Sequence, residues 1–207
     1  MYLPAVCRAS DRPLLLSLMR RHPFVTLVGV LDGAPEIAHL PALVDDEPLR
    51  LELHVARGNP LARLAEAGAP LTAVFHGPHA YVSPRFYRTA PNVPTWNYVV
   101  VHASGPTRLL PAADGMDHVR KLTAAFEAGA SAPWAVEQVA DHAARLAPGF
   151  VAFEIAVERL EGKLKLSQNR KPEDWTAVVE RFGKSDDADE REMAALMLRL
   201  GPQRERG

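Results

Sequence analysis

The sequence predicts a mainly β protein, an antiparallel barrel with helices added to it. Three observations predict this. Strand-like stretches outnumber helical ones in the first half of the chain. Consecutive strand-like stretches there are joined by short turns, as antiparallel neighbours are. Helical patterns gather instead at about 111–148 and 171–200, so the chain, 1–207, reads as one domain with helical additions.

Ser10 or Asp11 can cap a first helix that has Pro13 in its first turn and Leu14, Leu15, Leu18 and Met19 on one side. His22-Pro23 ends it. Phe24–Leu31 is apolar almost throughout and reads as a strand; Asp32-Gly33 is a tight-turn signal, so Glu36–Leu40 should return as its hairpin partner. Pro41–Pro48 reads as a polar connection. Leu49, Leu51, Leu53 and Val55 then alternate with Arg50, Glu52 and His54, the pattern of a half-buried strand. Asn59 stands where an N-cap belongs, Pro60 at the first helical position, and Gly68 can close that helix.

The stretch Ala73–Gly105 organises the rest. Ala73–Phe75 and Tyr98–Val101 have the composition of buried strands. Between them runs a loop carrying Tyr81, Phe86, Tyr87 and Trp96, with Tyr98 at its exit, and stiffened by Pro84, Pro91 and Pro94. So many aromatics in one loop call for a partner. Rigid aromatic walls, the hydroxyls of Ser83 and Thr95 and the amide of Asn97 suit a pocket for a flat ligand. The other reading is a hairpin whose long loop folds back on its own core.

Beyond it, Asp114 can start a helix with Met116, Val119, Leu122, Phe126 and Ala130, and an Ala-rich helix spans Val136–Leu146 up to Pro148-Gly149. Trp134 between them is assigned to packing. Val151, Phe153, Ile155 and Val157 alternate with Ala152, Glu154 and Ala156, a strand with one buried face that continues towards Lys165 and puts Lys163 and Lys165 on the same side. Asp174–Phe182 and Ala188–Leu200 are helical. The Met193, Leu196, Met197 and Leu200 stripe is offered to a partner, and Gln203–Gly207 should fray.

Hydrophobic residues make up 47% and charged residues 24%, which argues against disorder, and a net charge of −1 gives no global field favouring nucleic acid or an anionic membrane. The only cysteine, Cys7, leaves no internal disulfide and fits a reducing cytoplasm. No apolar run approaches the roughly 20 residues of a spanning helix. No basic region followed by an apolar core marks a secretion signal. The expected location is the cytoplasm.

AYVSPRFY at 80–87, PTWNYVVVHASG at 94–105 and GKLKLSQNR at 162–170 stand in order, with IAHLP at 37–41 and HVARGNP at 54–60 before them. In these motifs the chain resembles the PaiB-type FMN-binding negative transcriptional regulators, from Met1 to about Arg181. The resemblance implies an FMN-binding split β-barrel, usually a homodimer with the flavin at its interface and residues of both chains around it. Arg57 of one chain could then meet the Trp96 region of the other.

FMN has a phosphate, a hydroxylated chain and a flat ring with a polar edge. The sequence offers a matching set. Arg57 and Asn59, at a helix start, can meet the phosphate, since free N–H groups and a bidentate cation favour an anion there. The alternative is a capped helix with a surface arginine. Ser83 and Thr95 offer hydroxyls, Trp96 and Tyr98 aromatic walls. Lys163, Lys165, Gln168 and Asn169 offer donors for phosphate, ribityl chain or pyrimidine edge; the alternative for the lysines is a solvated strand end.

Other chemistry finds less support. There is no glycine-rich phosphate loop. His76 and His79 form an HxxH without the further ligands zinc needs and flank a Gly-Pro read as a turn; a haem held by histidine is a weaker possibility. No Gly-x-Ser-x-Gly elbow is present. Lys163, Lys165, Arg170 and Lys171 form the only basic cluster, and no helix-turn-helix pair is evident, so direct DNA binding is doubtful. Three readings stand: an FMN-binding regulatory protein, a flavin-dependent oxidoreductase acting on a small molecule with a nicotinamide reductant, and an interaction module with an empty pocket.

Overall fold

The structure, a computed structural model, describes residues 1–111 and 114–202. The expected fraying of Gln203–Gly207 lies outside the described residues. The elements are β1 (Arg8–Ala9), α1 (Arg12–Arg21), β2 (Phe24–Leu31), β3 (Ala34–Pro41), β4 (Leu43–Asp46), β5 (Leu49–Ala56), α2 (Pro60–Glu66), β6 (Pro70–Val82), β7 (Thr95–Leu109), α3 (Gly115–Glu127), α4 (Ala140–Leu146), β8 (Phe150–Ala156), β9 (Arg159–Lys165), α5 (Pro172–Gly183) and α6 (Ala188–Leu200), with short 3-10 turns between some of them. They fall into two compact units. One holds the described residues of Leu16–Phe75 and His102–Leu160; the other holds Met1–Leu15, His76–Val101 and the described residues from Glu161 on.

In the first unit the hydrogen-bonded order is β3-β2-β6-β7-β8-β5-β4. Asp32 and Gly33 take the positive φ values, 53° and 81°, that a two-residue hairpin turn requires. β2 and β3 pair over their whole length, from Phe24↔Pro41 to Leu31↔Ala34. β5 pairs with β8 from Arg50↔Ala156 to Ala56↔Phe150. Helix α2 is capped by the Asn59 side chain, whose Oδ1 accepts from Leu61 N at 2.9 Å, and Gly68 closes it at φ +67°. Its Leu61 and Leu64 are buried over Gly29 of β2. A Cβ at Gly29 would lie 2.5 Å from Leu64 Cδ1, so only glycine lets the helix approach this closely.

In the second unit β9 pairs with both β1 and β7. Helices α5 and α6 bury Trp175, Val178 and Phe182 against Met193, Leu196 and Met197. The α6 stripe therefore faces its own unit; the buried Met197 even accepts a bond from Asn97 Nδ2 at 3.7 Å. Only Leu200 of that stripe remains exposed, so the stripe is not the surface for a partner that its pattern suggests.

Other expectations also need correction. Leu43–Asp46 is a strand, paired with β5 from Leu43↔Glu52 to Asp46↔Leu49, where the acidic residues suggested a connection. His76-Gly77-Pro78-His79 is no turn but lies inside β6. Gly77 serves close strand packing there: a Cβ on it would stand 3.0 Å from Val99 Cβ. Val136–Val139 is a 3-10 turn before α4, and α3 stops before Ala130. β8 and β9 are separate strands, divided where Val157 N donates to Leu49 O and Glu158 N to Ser104 O. On β8, Glu154 and Ala152 are buried along with the apolar set, so both faces are covered. Trp134 is 42% exposed rather than packed.

Candidate functional site

Strand alternation builds one face of the second unit. Along the start of β7, Asn97, Val99 and Val101 point inward, which leaves Trp96 and Tyr98 on the other side. Trp96 is 52% exposed, an unusual state for a tryptophan. His79 stacks on it at 6.2 Å between ring centroids, and the exposed Tyr81 meets it edge-on at 5.8 Å. On β9 Gly162 and Leu164 are buried, as is Leu166 just beyond it, so Lys163 and Lys165 share the open side, as their spacing predicts. Lys163 Nζ lies 5.3 Å from the Tyr98 ring centre and 5.5 Å from that of Tyr2, and donates to Tyr2 O at 3.1 Å. Lys165 Nζ lies 5.9 Å from the Tyr98 ring and donates to Thr95 Oγ1. Thr95, Tyr98, Lys163 and Lys165 are thus brought together. Neither lysine has a carboxylate partner among the described residues.

The segment after β9 divides its work. The Gln168 side chain is buried and committed: Oε1 accepts from Leu166 N at 2.6 Å, while Nε2 donates to Val6 O at 2.7 Å and Leu164 O at 2.6 Å. Ser167 sits at φ +57° and donates to Asn97 Oδ1 at 3.0 Å. Asn169 is exposed. Ser83 caps a 3-10 turn, its buried Oγ accepting from Arg85 N at 3.3 Å. The aromatic loop is pinned by Asp174, which the sequence did not single out. Its carboxylate accepts from Arg88 N at 2.7 Å, Thr89 N at 2.9 Å and Thr89 Oγ1 at 2.6 Å. Burial pushes this carboxyl up, but the bonds from Thr89 and Arg88 outweigh it and hold it below the usual carboxylate range. Tyr87 is buried under Arg170, and Phe86 meets Phe182 at 6.3 Å. The loop therefore combines both sequence readings: Phe86 and Tyr87 fold back on the core, while Tyr81 and Trp96 face outward.

Arg57 and Asn59 belong to the first unit. Arg57 Nε donates to Pro148 O at 2.9 Å and Nη2 to Phe150 O at 3.2 Å, and Nη1 lies 3.6 Å from the Glu66 carboxylate. The side chain remains 58% exposed. It lines an open cleft of about 510 Å³ together with Gly58, Asn59 and Arg63; Asp32 and Glu36 line it too. The Asn59 side chain is occupied by its cap.

A buried polar cluster in the same unit escaped the sequence reading. His54 Nδ1 and His118 Nε2 are 3.0 Å apart, and His118 Nδ1 is 3.6 Å from Glu52, which in turn lies 3.5 Å from Lys121 Nζ. Burial, reinforced by the neighbouring His54 and Lys121, pushes His118 down to about 4; burial lowers His54 as well. The only signal for this cluster was His54 in a polar position of β5, and nothing local ties it to a helix far along the chain.

A family described as "Putative FMN-binding domain" matches residues 1–159. The chain belongs to this FMN-binding family. It is also 30% identical, over 95% of its length and 96% of the relative's, to "Protease synthase and sporulation protein PAI 2" of Bacillus subtilis (strain 168). Among solved structures it resembles the flavocytochrome Anf3 from Azotobacter vinelandii, with a TM-score of 0.59 and 11% identity, covering 90% of this chain and 75% of that one. It likewise resembles an FAD and haem binding protein from Mycobacterium smegmatis, with a TM-score of 0.57 and 19% identity over 76% of this chain and 73% of that one. The fold is that of the flavin-binding split barrels, mainly antiparallel β with helices, and the cofactor of the family is FMN. Lys163, Lys165 and the segment to Arg170 lie beyond the residues matched by the FMN-binding family.

The donor set fits FMN. In the second unit the exposed Trp96 and Tyr81 and the half-buried Tyr98 offer flat apolar surface, and Lys163 and Lys165 offer cations; in the first unit Arg57 offers a cation for a phosphate.

Proposed function

We propose that this FMN-binding protein is a flavin-dependent regulator and that Arg57 anchors the FMN phosphate. Bound FMN supplies electron-transfer chemistry; the chain's own residues bind and orient it. The observation that carries the reading is the fixed Arg57 fork. Two backbone carbonyls hold Nε and Nη2, which sets the guanidinium plane while leaving it largely exposed beside a cleft. A pre-oriented guanidinium loses little freedom on gripping a phosphate. Its weak, exposed contact with Glu66 at 3.6 Å is one that a phosphate can displace. A homodimer with flavin at its interface is part of this reading, and light scattering at micromolar concentration checks it.

The test compares FMN with riboflavin, which lacks the phosphate. Arg57→Ala should weaken FMN by about 1.5–3 kcal/mol, roughly 10- to 100-fold, and riboflavin far less. Circular dichroism confirms that the variant is folded. Equal binding of both ligands by variant and wild type would remove Arg57 from the role. One observation favours a second reading: Lys163 and Lys165 carry charge without a carboxylate partner among the described residues. If they hold the phosphate, Lys163→Met and not Arg57→Ala abolishes the preference for FMN over riboflavin.

A further inference from the structure

Where β7 begins and β9 ends, the second unit has a half-open cavity of about 230 Å³. Its walls include Lys165, Arg170, Asn97, Ser167 and Asn169, and among the described residues no carboxylate lines it. The polar groups there are under-used. Among the described residues Lys165 Nζ bonds only the Thr95 hydroxyl. Arg170 gives one bond, from Nη1 to Asn92 Oδ1 at 2.8 Å, and lies 4.8 Å over the Tyr87 ring, so most of its five N–H donors remain available. Asn97 is fully buried, yet its Nδ2 finds only the Met197 sulfur at 3.7 Å, a weak acceptor. A buried amide donor without an oxygen partner is uncommon and asks for one. Ser167, held in the left-handed region at φ +57°, adds backbone strain of the kind that gathers at ligand sites.

We propose that this cavity binds the phosphate group of a small phosphorylated metabolite, as a ligand separate from FMN. Two cations without counter-ions among the described residues match the near-dianion that a phosphate monoester presents at neutral pH, and a carboxylate would neutralise only one of them. The volume suits a phosphate with a small substituent and is too small for a flavin ring as well. The proposal rests on the reading that Arg57 holds the phosphate of FMN.

Inorganic phosphate is the probe. It is titrated calorimetrically, at constant ionic strength, into wild type, Arg170→Met and Lys165→Met, each saturated with FMN. Wild type should bind one equivalent in the millimolar range or better, and each variant at least about tenfold more weakly. Absence of saturable binding to wild type would overturn the proposal, as would unchanged affinity in both variants. Because Arg170 also covers Tyr87, Lys165→Met decides the outcome if Arg170→Met does not fold. A third arm repeats the wild-type and Lys165→Met titrations without flavin. Flavin-free binding that Lys165→Met weakens and that vanishes on saturation with FMN would show that the cavity, and not Arg57, belongs to the flavin phosphate. That result sinks this proposal and supports the lysine reading, whereas failure of the Arg57 experiment alone leaves the titration interpretable.

Discussion

The Gln168 side chain closes three hydrogen bonds inside its unit, to Leu166 N, Val6 O and Leu164 O. It ties the N-terminal segment to the end of β9 and so fixes the backbone from which Ser167 and Asn169 project. Both N–H donors of the amide are thus spent inside the unit. Gln168→Leu keeps the volume and strands three backbone groups, of which some gain water. The expected loss is about 2–4 kcal/mol of stability, read from the urea midpoint. The preference for FMN over riboflavin should not move. An unchanged midpoint would deny Gln168 its structural role, and a lost preference would return it to the flavin site. Asp174 works the same way for the aromatic loop, holding Arg88 and Thr89 by three bonds, so that Trp96 and Tyr81 emerge from a fixed base.

At the scale of elements, α3 docks on β5 by inserting His118 beside His54 and Glu52. The side chain is buried neutral: burial, with the neighbouring His54 and Lys121, outweighs the pull of Asp117 towards the charged form and lowers the group to about 4. Its unfolded value is near 6.5, so between those limits the unfolded chain binds the extra proton. Stability contributed by neutral His118 is therefore full above about pH 6.5 and is lost as pH falls towards 4. Unfolding free energies measured across this window should decrease as pH is lowered in wild type and decrease less steeply in His118→Gln. Parallel profiles would show that α3 docking does not depend on this imidazole.

The same scale shows what the sequence could and could not reveal. The β2–β3 hairpin was legible because Asp32-Gly33 dictates its turn locally, and α2 because Asn59 and Pro60 start it locally. Strand β4 was not, because Asp45 and Asp46 mask it: Asp45 is matched by Arg50 across the pair at 2.9 Å, and such a partner is invisible in a linear reading. Gly77-Pro78 imitates a turn, yet the packing of Gly77 against Val99 decides otherwise. Within the site, period-two alternation placed Lys163 and Lys165 on one side. The Tyr2 carbonyl that receives Lys163 comes from the far end of the chain, and no spacing rule reaches it.

For the whole molecule, the open question is how a regulator of this family would act, and charge narrows it. The net charge is −1, and many of the exposed arginines already have acidic partners, as Arg120 has Glu137 and Arg181 has Glu190. Among the described residues, Lys163, Lys165 and Arg170 lie near one another without carboxylate partners, and they line an aromatic face and a small cavity suited to small anions. A sequence-specific DNA reader commonly neutralises about 6–10 phosphates and gathers its cations on one surface to do so. We therefore predict that direct, sequence-selective DNA binding is weak: a dissociation constant above roughly 1 μM at physiological salt, steeply salt-dependent and indifferent to sequence. Fluorescence anisotropy with labelled duplexes from candidate promoters and with scrambled duplexes measures it, on FMN-free and FMN-saturated protein. Nanomolar binding to one duplex over its scrambled counterpart, in either state, would overturn the prediction and make the lysine face a DNA surface. Equal, weak binding to both places the regulatory effect upstream of DNA, in the ligands that the two units hold.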